Sequence, residues 1–341
     1  MKNKYADLLA TVNNDQRHLS DSILIIDGLN TFLRAFTMIN HINPEGHHIG
    51  GLTGFLKSVG YGIKTIDPTK VVIVFDGAGG SNSKRNLYPD YKANRNKNRM
   101  TNYSIFSNKD EERESINNQM ARLIQYLQLL PVSMICIDGI EADDVMGYLV
   151  GKFENYDATK EVTIMSADQD FLQLVSDKTK VYSPIKKKIY KPIDVLDEYK
   201  VSSINYINYK ILMGDKSDNL PGVDGLGPKK VLKMFPQLVS DTPTTLNEML
   251  ESAATKIDEH ALYGKIIERK HQLEINSKLM NLRTIPISNE NIQQIQSNFN
   301  APYNLDKHTF MQLYVNDQLG ESIPNTPNWL NQVFGPLDSF K

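Results

Sequence analysis

Residues 22–27 read "SILIID", an apolar, β-branched run that ends in Asp27, and the same pattern returns three times along the chain. The other runs are "VVIVFD" (residues 71–76), "VSMICID" (residues 132–138) and "EVTIMSAD" (residues 161–168). Amphipathic stretches with helical period lie around them, at residues 29–40, 52–66, 111–130 and 141–153. Strands that are apolar on both faces and alternate with helices predict an α/β fold with a central, mainly parallel sheet flanked by helices.

Beyond about residue 202 the strand pattern stops, and the chain has helical character to about residue 282. A more polar tail rich in Asn, Gln and Pro follows. We therefore expect an α/β domain at residues 1–200, a helical domain at 201–285 and a C-terminal tail at 286–341. For the tail, helical packing is the simpler role and partner binding the alternative. Residues 94–110 are polar and weakly periodic, which predicts a mobile segment.

The composition, 40% hydrophobic and 23% charged over 341 residues, is typical of a globular protein with a large core. The single cysteine, Cys136, lies in an apolar run and is expected to be buried; it excludes a disulfide framework and suits a reducing compartment such as the cytoplasm. The N-terminus lacks a signal-peptide pattern, and no apolar run approaches the roughly 18 residues of a membrane span. We therefore expect no membrane partner.

Charge is segregated along the chain although the formal net charge is only −2. Residues 84–99 hold six basic residues and one acid, and residues 178–191 hold six lysines and no acid. Local fields therefore indicate more about binding partners than the total charge does.

Acidic residues follow three of the four predicted strands, at Asp27, Asp76 and Asp168. One such Asp usually starts a turn or caps a helix, but three of them at the carboxyl ends of parallel strands should converge on one crevice. Further acids lie in "GIEADD", "SADQDF" and "GDKSDN". The nine acids of interest are Asp27, Asp76, Glu141, Asp143, Asp144, Asp168, Asp170, Asp215 and Asp218.

Nine converging carboxylates need compensating cations, because two of them about 5 Å apart repel by roughly 3 kcal/mol at an effective dielectric constant near 20. Lysines could compensate, but we expect metal ions, since acid–lysine networks seldom recur at strand ends. Hard divalent cations prefer oxygen ligands, and the sequence has no Cys pair or HExxH motif for zinc. Mg²⁺ is therefore predicted, with Mn²⁺ as a substitute. Two ions about 3.5–4 Å apart would bridge a scissile phosphate and activate water, which predicts a phosphodiesterase.

Six segments occur in the order found in the 5′ nuclease family: "IIDGLNTFLRAF", "VVIVFDG", "YPDYKANR", "GIEADD", "SADQDFLQL" and "GDKSDNLPGVDGLGPKK". The chain resembles that family over about residues 23–235. The family includes the 5′-nuclease domain of bacterial DNA polymerase I, flap endonucleases and phage 5′ exonucleases, also called phage ribonuclease H. The stand-alone phage-type members are the most similar, because no polymerase module follows. The resemblance implies a PIN-like fold with a helical arch, at about residues 84–115, and a helix–three-turn–helix module.

The resemblance also implies roles for the acids. Asp27, Asp76, Glu141 and Asp143 match the ligands of a first metal region; Asp168, Asp170, Asp215 and Asp218 match a second region, with Asp144 beside both. Asp76 and Asp168 are also predicted to be catalytic.

In the basic run, Lys92 and Arg95 match arch residues that contact the scissile phosphate. Tyr88 and Tyr91 are candidates for base stacking. Lys84 and Arg85 are expected to contact nucleic acid as well, whereas Lys97 and Arg99 are expected on a solvated loop.

The segment "GVDGLGPKK" predicts a hairpin that grips a nucleic-acid backbone. Gly222, Gly225 and Gly227 would permit positive φ and close backbone approach. Pro228 suits a first helical position, and the following helix offers N–H groups to a phosphate. Lys229 and Lys230 would add charge that reads no sequence. In the family this hairpin also binds K⁺ and duplex DNA. Whether Lys186, Lys187 and Lys188 flank the DNA or only solvate a hairpin is left open.

The hypothesis is a monomeric, Mg²⁺-dependent, structure-selective 5′ nuclease that cuts DNA and RNA–DNA duplexes and flaps, leaving 5′-phosphate and 3′-hydroxyl ends. Its expected role is removal of RNA primers and flaps in DNA replication and repair, with a sliding clamp or single-strand-binding protein as conceivable partners. One alternative is an RNA-processing or toxin-like PIN nuclease, which would lack the hairpin. The other is a non-catalytic DNA-binding protein, which would have lost some of the acids.

Overall fold

A six-stranded sheet forms the centre of the molecule in the computed structural model, which describes residues 22–96, 100–156 and 160–338. The strands are β1 (Ser22–Asp27), β2 (Lys70–Asp76), β3 (Ser133–Ile137), β4 (Glu161–Met165), β5 (Thr179–Ser183) and β6 (Lys188–Tyr190). Their order is β3-β2-β1-β4-β5-β6. Strands β1 to β5 pair in parallel, and β6 pairs antiparallel with β5. The predicted mainly parallel sheet is confirmed.

Helices cover both faces of the sheet because alternate strand residues point to opposite sides. The helices of this half are α1 (Gly28–Met38), α2 (Gly50–Ile66), α3 (Asn82–Leu87), α4 (Lys109–Leu127), α5 (Ala142–Tyr156) and α6 (Pro192–Tyr199). Leu24 and Ile26 of β1 pack with α1, α2 and α4 in the first core cluster. Ile23 and Ile25 pack with α5 in the second.

A helical region with its own core follows. It consists of α7 (Tyr206–Met213), α8 (Pro228–Met234), α9 (Leu246–Thr255), α10 (Ala261–Glu268) and α11 (Lys270–Met280). Leu212, Phe235 and Leu273 lie in its apolar cluster, the third core cluster. Between α7 and α8, two short strands pair antiparallel: β7 (Gly214–Asp215) and β8 (Leu220–Pro221). The expectation of no strands beyond residue 202 is wrong at this hairpin.

The C-terminal region is packed against the rest of the molecule. Its helices are α12 (Asn289–Phe299), α13 (Lys307–Asn316) and α14 (Thr326–Asp338). Ile295 of α12 belongs to the second core cluster, and Phe310 and Phe334 are fully buried in the first. The tail thus packs as helices, as the simpler of the two roles predicts, and partner binding stays a prediction.

Two details differ from the sequence-based expectation. Strand β4 ends at Met165, so Asp168 lies three residues beyond it, at the start of a short 3₁₀ helix (Gln169–Leu174). Cys136 is exposed rather than buried, because it lies on the face of the edge strand β3 opposite to the buried Ile135 and Ile137. Residues 1–21 and the predicted solvated residues Lys97 and Arg99 lie outside the described residues.

The described part of the predicted mobile segment is anchored rather than loose. The buried carboxylate of Glu112 accepts hydrogen bonds from the N–H groups of Thr101 and Asn102. The side-chain amide of Asn102 donates to the Phe36 carbonyl, and the Phe106 ring stacks on the Phe36 ring. These contacts fix residues 100–108 against α1.

No helix within the described ranges combines the length and the apolar composition that a bilayer crossing requires.

Candidate active site

The nine acids meet beside the carboxyl ends of the strands. Asp27 ends β1, Asp76 ends β2, and the other seven lie at the start of α5, after β4, at the end of β7 and in the β7–β8 loop. Burial raises the pKa of Asp27, Asp76 and Asp168, and the charge of Asp143 raises each of them further. Hydrogen bonds show the same proximity: Asp76 accepts from the Ala142 N–H beside Glu141 and Asp143, and the Ser166 hydroxyl bonds both to Asp27 and to the Asp168 N–H, so these side chains line one crevice.

The two strand-end acids are held by hydrogen bonds from neighbouring elements. The carboxylate of Asp27 accepts from the Asn30 N–H (3.1 Å) and from the Ser166 hydroxyl (3.0 Å). Asp76 accepts from the N–H of Ala142 at the start of α5 (2.8 Å). Burial raises the pKa of Asp27 to about 6, because the bonds it receives offset only part of the desolvation.

The first acidic group consists of Glu141, Asp143 and Asp144, which together present three carboxylate oxygens within 4.8 Å of one another. The Lys84 ammonium lies 2.9, 3.5 and 3.0 Å from their oxygens, in that order. Burial and the charge of Asp143 raise the pKa of Asp144 to about 7. Although burial opposes it, the charges of Lys84 and Lys92 lower the pKa of Glu141 to about 2.

The second acidic group is formed by Asp168, Asp170, Asp215 and Asp218. The Lys210 ammonium bridges two of them, at 2.8 Å from Asp170 Oδ1 and 2.7 Å from Asp215 Oδ2. Burial and the charge of Asp168 raise the pKa of Asp170 to about 7. Burial opposes ionisation of Asp215 too, but its bonds to Lys210 and Ser217 lower its pKa to about 2.

Lysines thus compensate part of the charge in both groups, and the expectation that lysine would play little part here is wrong. The compensation is incomplete, because the pKa values of Asp27, Asp144 and Asp170 stay raised. Buried carboxylates that still repel one another, and that supply only oxygen donors, suit hard divalent cations such as Mg²⁺ or Mn²⁺. The residues present therefore fit a divalent metal centre.

Residues 92–95, at the base of the predicted arch, bring cations to the rim of this crevice. The Lys92 ammonium donates to Glu141 Oε1 (2.5 Å), and Arg95 pairs with Asp218 (2.5 Å). With the exposed Arg85, they line a cavity of about 250 Å³ that also borders Asp76 and Glu141. The cavity places these guanidinium and ammonium groups next to the acids, where a phosphate could be held.

Two predicted nucleic-acid contacts, those of Tyr91 and Lys84, need correction. Tyr91 is 2% exposed and its hydroxyl donates to Glu141 Oε2 (2.9 Å), so it cannot stack on a base. Tyr88 packs against the third core cluster but is only partly buried, so its stacking on a base stays a prediction. The Lys84 side chain is 11% exposed and is directed into the first acidic group instead of outward. Its role in this structure is to neutralise acids.

In the predicted hairpin, residues 222–230, only one of the three glycines has the predicted positive φ. Gly225 adopts positive φ (81°), whereas Gly227 has φ −101°. Gly222 is required by close approach: a Cβ there would lie 2.3 Å from the Met213 carbonyl carbon. The expectation of positive φ is therefore wrong for Gly222 and Gly227.

The residues that follow the hairpin lie where a backbone phosphate could reach them. Pro228 is the first residue of α8, as predicted. Lys229 and Lys230 are exposed, and the Lys230 ammonium donates to the Gly225 carbonyl (2.8 Å). Two of the three lysines of the β5–β6 hairpin form ion pairs, Lys186 with Glu198 and Lys188 with Asp194.

Sequence reasoning missed Lys210 and Ser166. Lys210 lies on α7, five residues before Asp215. This spacing could have indicated a lysine whose side chain reaches the acidic residues that follow the helix. Ser166 donates to Asp27 and accepts from the Asp168 N–H (3.0 Å), so it links two of the acids. No pattern in the sequence signals that link, because it depends on how β1 and β4 pair.

Two family models match the chain. One is described as "5'-3' exonuclease, N-terminal resolvase-like domain" and matches residues 22–200. The other, "5'-3' exonuclease, C-terminal SAM fold", matches residues 201–301. The chain belongs to the 5′-3′ exonuclease family. The resemblance to 5′ nucleases is confirmed, and the match extends well past residue 235, where the motifs end.

Curated relatives agree with this assignment to the 5′-3′ exonuclease family. The 5′-3′ exonuclease of Bacillus subtilis (strain 168) is 30% identical over 279 residues, covering 79% of this chain and 86% of that protein. The 5′-3′ exonuclease of Buchnera aphidicola is 32% identical over 212 residues, covering 62% and 68%. The thermostable DNA polymerase I of Thermus filiformis is 29% identical over 262 residues, covering 77% of this chain but 28% of that longer protein.

Solved structures share the fold of this 5′-3′ exonuclease family member. The bacteriophage T5 flap endonuclease, crystallised with DNA and metal ions, superposes with a TM-score of 0.62 at 18% identity, covering 86% of this chain and 98% of that one. The T5 5′-exonuclease with bound zinc ions gives a TM-score of 0.58 at 18% identity, with 87% and 98% covered. The expected fold class is confirmed.

Proposed function

We propose that this protein is a divalent-metal-dependent 5′ nuclease that hydrolyses phosphodiester bonds at the 5′ ends and flaps of DNA and RNA–DNA duplexes. The observation that carries the proposal is the crevice in which two acidic groups lie directly beside the cations of the arch base. In such an arrangement the acidic groups would bind hard divalent cations, and the neighbouring lysine and arginine side chains would bind a phosphate. Mg²⁺ is the proposed ion, and Mn²⁺ is expected to replace it.

The roles of the acids follow from their grouping. Asp27, Asp76 and the first acidic group would hold one ion, and the second acidic group the other. Two bound ions supply an activated water and stabilise the negative charge that develops on the phosphate. The protein contributes a rigid set of oxygens: the hydrogen bonds to Asp27, Asp76 and Asp215 orient those carboxylates before any ligand arrives.

Lys92 and Arg95 are proposed to stabilise the scissile phosphate. In the structure they pair with Glu141 and Asp218, so each must exchange its carboxylate partner for a phosphate oxygen. Once cations neutralised Glu141 and Asp218, Lys92 and Arg95 would be released from these carboxylates and free to bind the phosphate. A Lys or Arg beside the reacting phosphate stabilises charge that is greatest in the transition state.

The hairpin segment between β8 and α8 is proposed to bind the part of the duplex that lies away from the cleaved bond. Lys229 is exposed there, and α8 presents its N-terminal N–H groups, both suited to a phosphate backbone. A K⁺ site at the carbonyls of this hairpin is part of the proposal. The nuclease domain would span residues 1–200, with the arch at about 84–115, and the duplex-binding domain residues 201–285.

A role in removing RNA primers and flaps during replication and repair is proposed from the relatives, which include DNA polymerase I proteins. The cut should leave a 5′-phosphate and a 3′-hydroxyl. We further propose a monomer in the cytoplasm; a sliding clamp or single-strand-binding protein as partner stays a prediction that no motif supports.

The test uses a duplex with a labelled 5′ flap, incubated with the protein in Mg²⁺, in Mn²⁺ or in EDTA. We expect cleavage with either ion and none with EDTA. Asp168→Asn should lower cleavage by at least about 10³-fold, while duplex binding in a gel-shift assay should change by less than about threefold. The reason is that the lost carboxylate serves phosphodiester cleavage and not duplex binding.

The matched control is Asp258→Asn, which removes an exposed acid far from the crevice in sequence and should cleave like the parent. If the parent binds the flap but never cuts it in either metal, the protein is a DNA-binding member of the family without catalysis. Normal cleavage by Asp168→Asn would refute the metal assignment.

A further inference from the structure

The arch base, residues 90–95, and the loop between β7 and β8, residues 216–219, meet beside the acidic crevice. The Lys92 N–H donates to the Asp218 carbonyl (2.9 Å), and Asn219 Nδ2 donates to the Asp90 carbonyl (2.9 Å). Two further bonds run from Asn94 Nδ2 to the Lys216 carbonyl (2.7 Å) and from Arg95 Nε to the Ser217 carbonyl (3.3 Å). Segments more than 120 residues apart in sequence therefore form one joint.

The backbone at this joint has an uncommon conformation on both sides. Lys92 has φ +56° and Asn219 has φ +61°. The left-handed region is tolerated by Asn but costs free energy for a residue such as Lys. The Lys92 conformation is retained because its N–H is bonded to the loop and because the preceding turn is fixed through Asp90. Asn219 supplies the side-chain bond that fixes that turn.

The joint connects the proposed phosphate-binding cation to both acidic groups. From the left-handed Lys92 backbone, the ammonium reaches Glu141 of the first acidic group. Asn219 directly follows Asp218 of the second. We infer that Asn219 is a positioning residue: its amide holds the Asp90–Lys92 turn and thereby sets the place of the Lys92 ammonium relative to the acids. This inference rests on the proposed nuclease function.

The first test compares Asn219→Gly and Asn219→Asp with the parent. Glycine keeps the left-handed backbone but removes the amide donor, and aspartate keeps the shape but turns a carboxylate oxygen toward the Asp90 carbonyl. Both should lower kcat on a 5′-flap duplex by about tenfold or more, with KM within about threefold. A misplaced transition-state contact lowers kcat, whereas lost uniform binding raises KM.

A double-mutant cycle separates positioning from general destabilisation. In a Lys92→Ala background, Asn219→Gly should change kcat by less than about twofold, because the group it positions is gone. Asn325→Gly is the matched control: it also replaces a left-handed Asn (φ +48°), but in the segment between α13 and α14. It should cleave like the parent in both backgrounds.

Hydrogen exchange gives a readout that needs no catalysis. The peptide covering residues 90–95 should exchange faster in Asn219→Gly than in the parent, while peptides of the central sheet stay unchanged. Parental kcat and exchange in Asn219→Gly would overturn the inference, as would an equal loss of kcat in the Lys92→Ala background. A parent that fails to cut while exchange behaves as expected would reject the proposed function and leave the joint confirmed.

Discussion

The pKa of Asp144 reflects how closely the carboxylates of the crevice lie to one another. Burial, followed by the charge of Asp143, raises its pKa to about 7, against about 3.9 for an aspartate in an unfolded chain. Between these two values the folded protein holds a proton that the unfolded chain has released. The free energy of unfolding therefore falls as the pH rises from about 4 to 7, and the full cost is present above that range.

Asp144→Asn should consequently stabilise the protein when no divalent cation is present. We expect a gain of roughly 1–3 kcal/mol in the free energy of unfolding at pH 8, shrinking toward zero only at about pH 4 and below, because Asn resembles the protonated acid. Urea unfolding in EDTA at the two pH values measures it. Asp258→Asn, at an exposed site, should show no such pH-dependent gain. A loss of stability at pH 8 would contradict the raised pKa.

The hairpin between α7 and α8 depends on one glycine, Gly222, for the path of its backbone. A Cβ at Gly222 would lie 2.3–2.5 Å from backbone atoms of Leu212 and Met213, and backbone atoms cannot rotate away as a side chain can. The tight return of the chain after β8 therefore requires glycine for space and not for its dihedral angles.

Gly222→Ala should lower the free energy of unfolding by about 1–3 kcal/mol, the usual cost of overpacking. Gly264→Ala, on α10, is the matched control because the nearest atom to its Cβ would be 3.7 Å away, and it should be neutral or slightly stabilising. Urea midpoints of the two variants and the parent decide the matter. Equal stability of both variants would show that the hairpin backbone shifts freely.

At the scale of elements, local pattern predicted the strands and helices that have clear apolar periodicity. Strands β1 and β2 were predicted within one residue, since each is a continuous buried run. Strands β5 and β6 were not, because their lysines mask the pattern. The nine acids were found from their positions near strand ends and helix starts. Contacts set by tertiary structure, such as Tyr91 on Glu141 and Lys210 on Asp170, could not be found that way.

Over the whole molecule, the C-terminal helices extend the core past the end of the family match. The family model stops at residue 301, yet α13 and α14 insert Phe310 and Phe334 into the first core cluster. The loop between them and its neighbours also hold the α1–α2 connection, since Asn43 donates to the Asp317 carbonyl (3.2 Å). These helices are part of the α/β unit in packing terms.

Phe334→Ala should therefore lower the free energy of unfolding by about 3–5 kcal/mol, the range for a large buried aromatic. Gln332→Ala, at an exposed position of the same helix, should change it by less than about 0.5 kcal/mol. Chemical denaturation measures both, and Phe334→Leu gives a milder variant if Phe334→Ala does not fold. A small effect at Phe334 would mean that α14 is only loosely attached.

The ammonium groups of Lys84 and Lys210 lie among the acids, which has a consequence for the protein when no divalent cation is bound. Burial opposes their charge, but the surrounding acids raise the pKa of both lysines above the ordinary value, so they stay charged wherever the protein is folded. Small metal-built domains collapse when a chelator strips them. This chain carries its own counter-charges at Lys84 and Lys210, so we expect it to reach and keep its fold before any divalent cation is supplied.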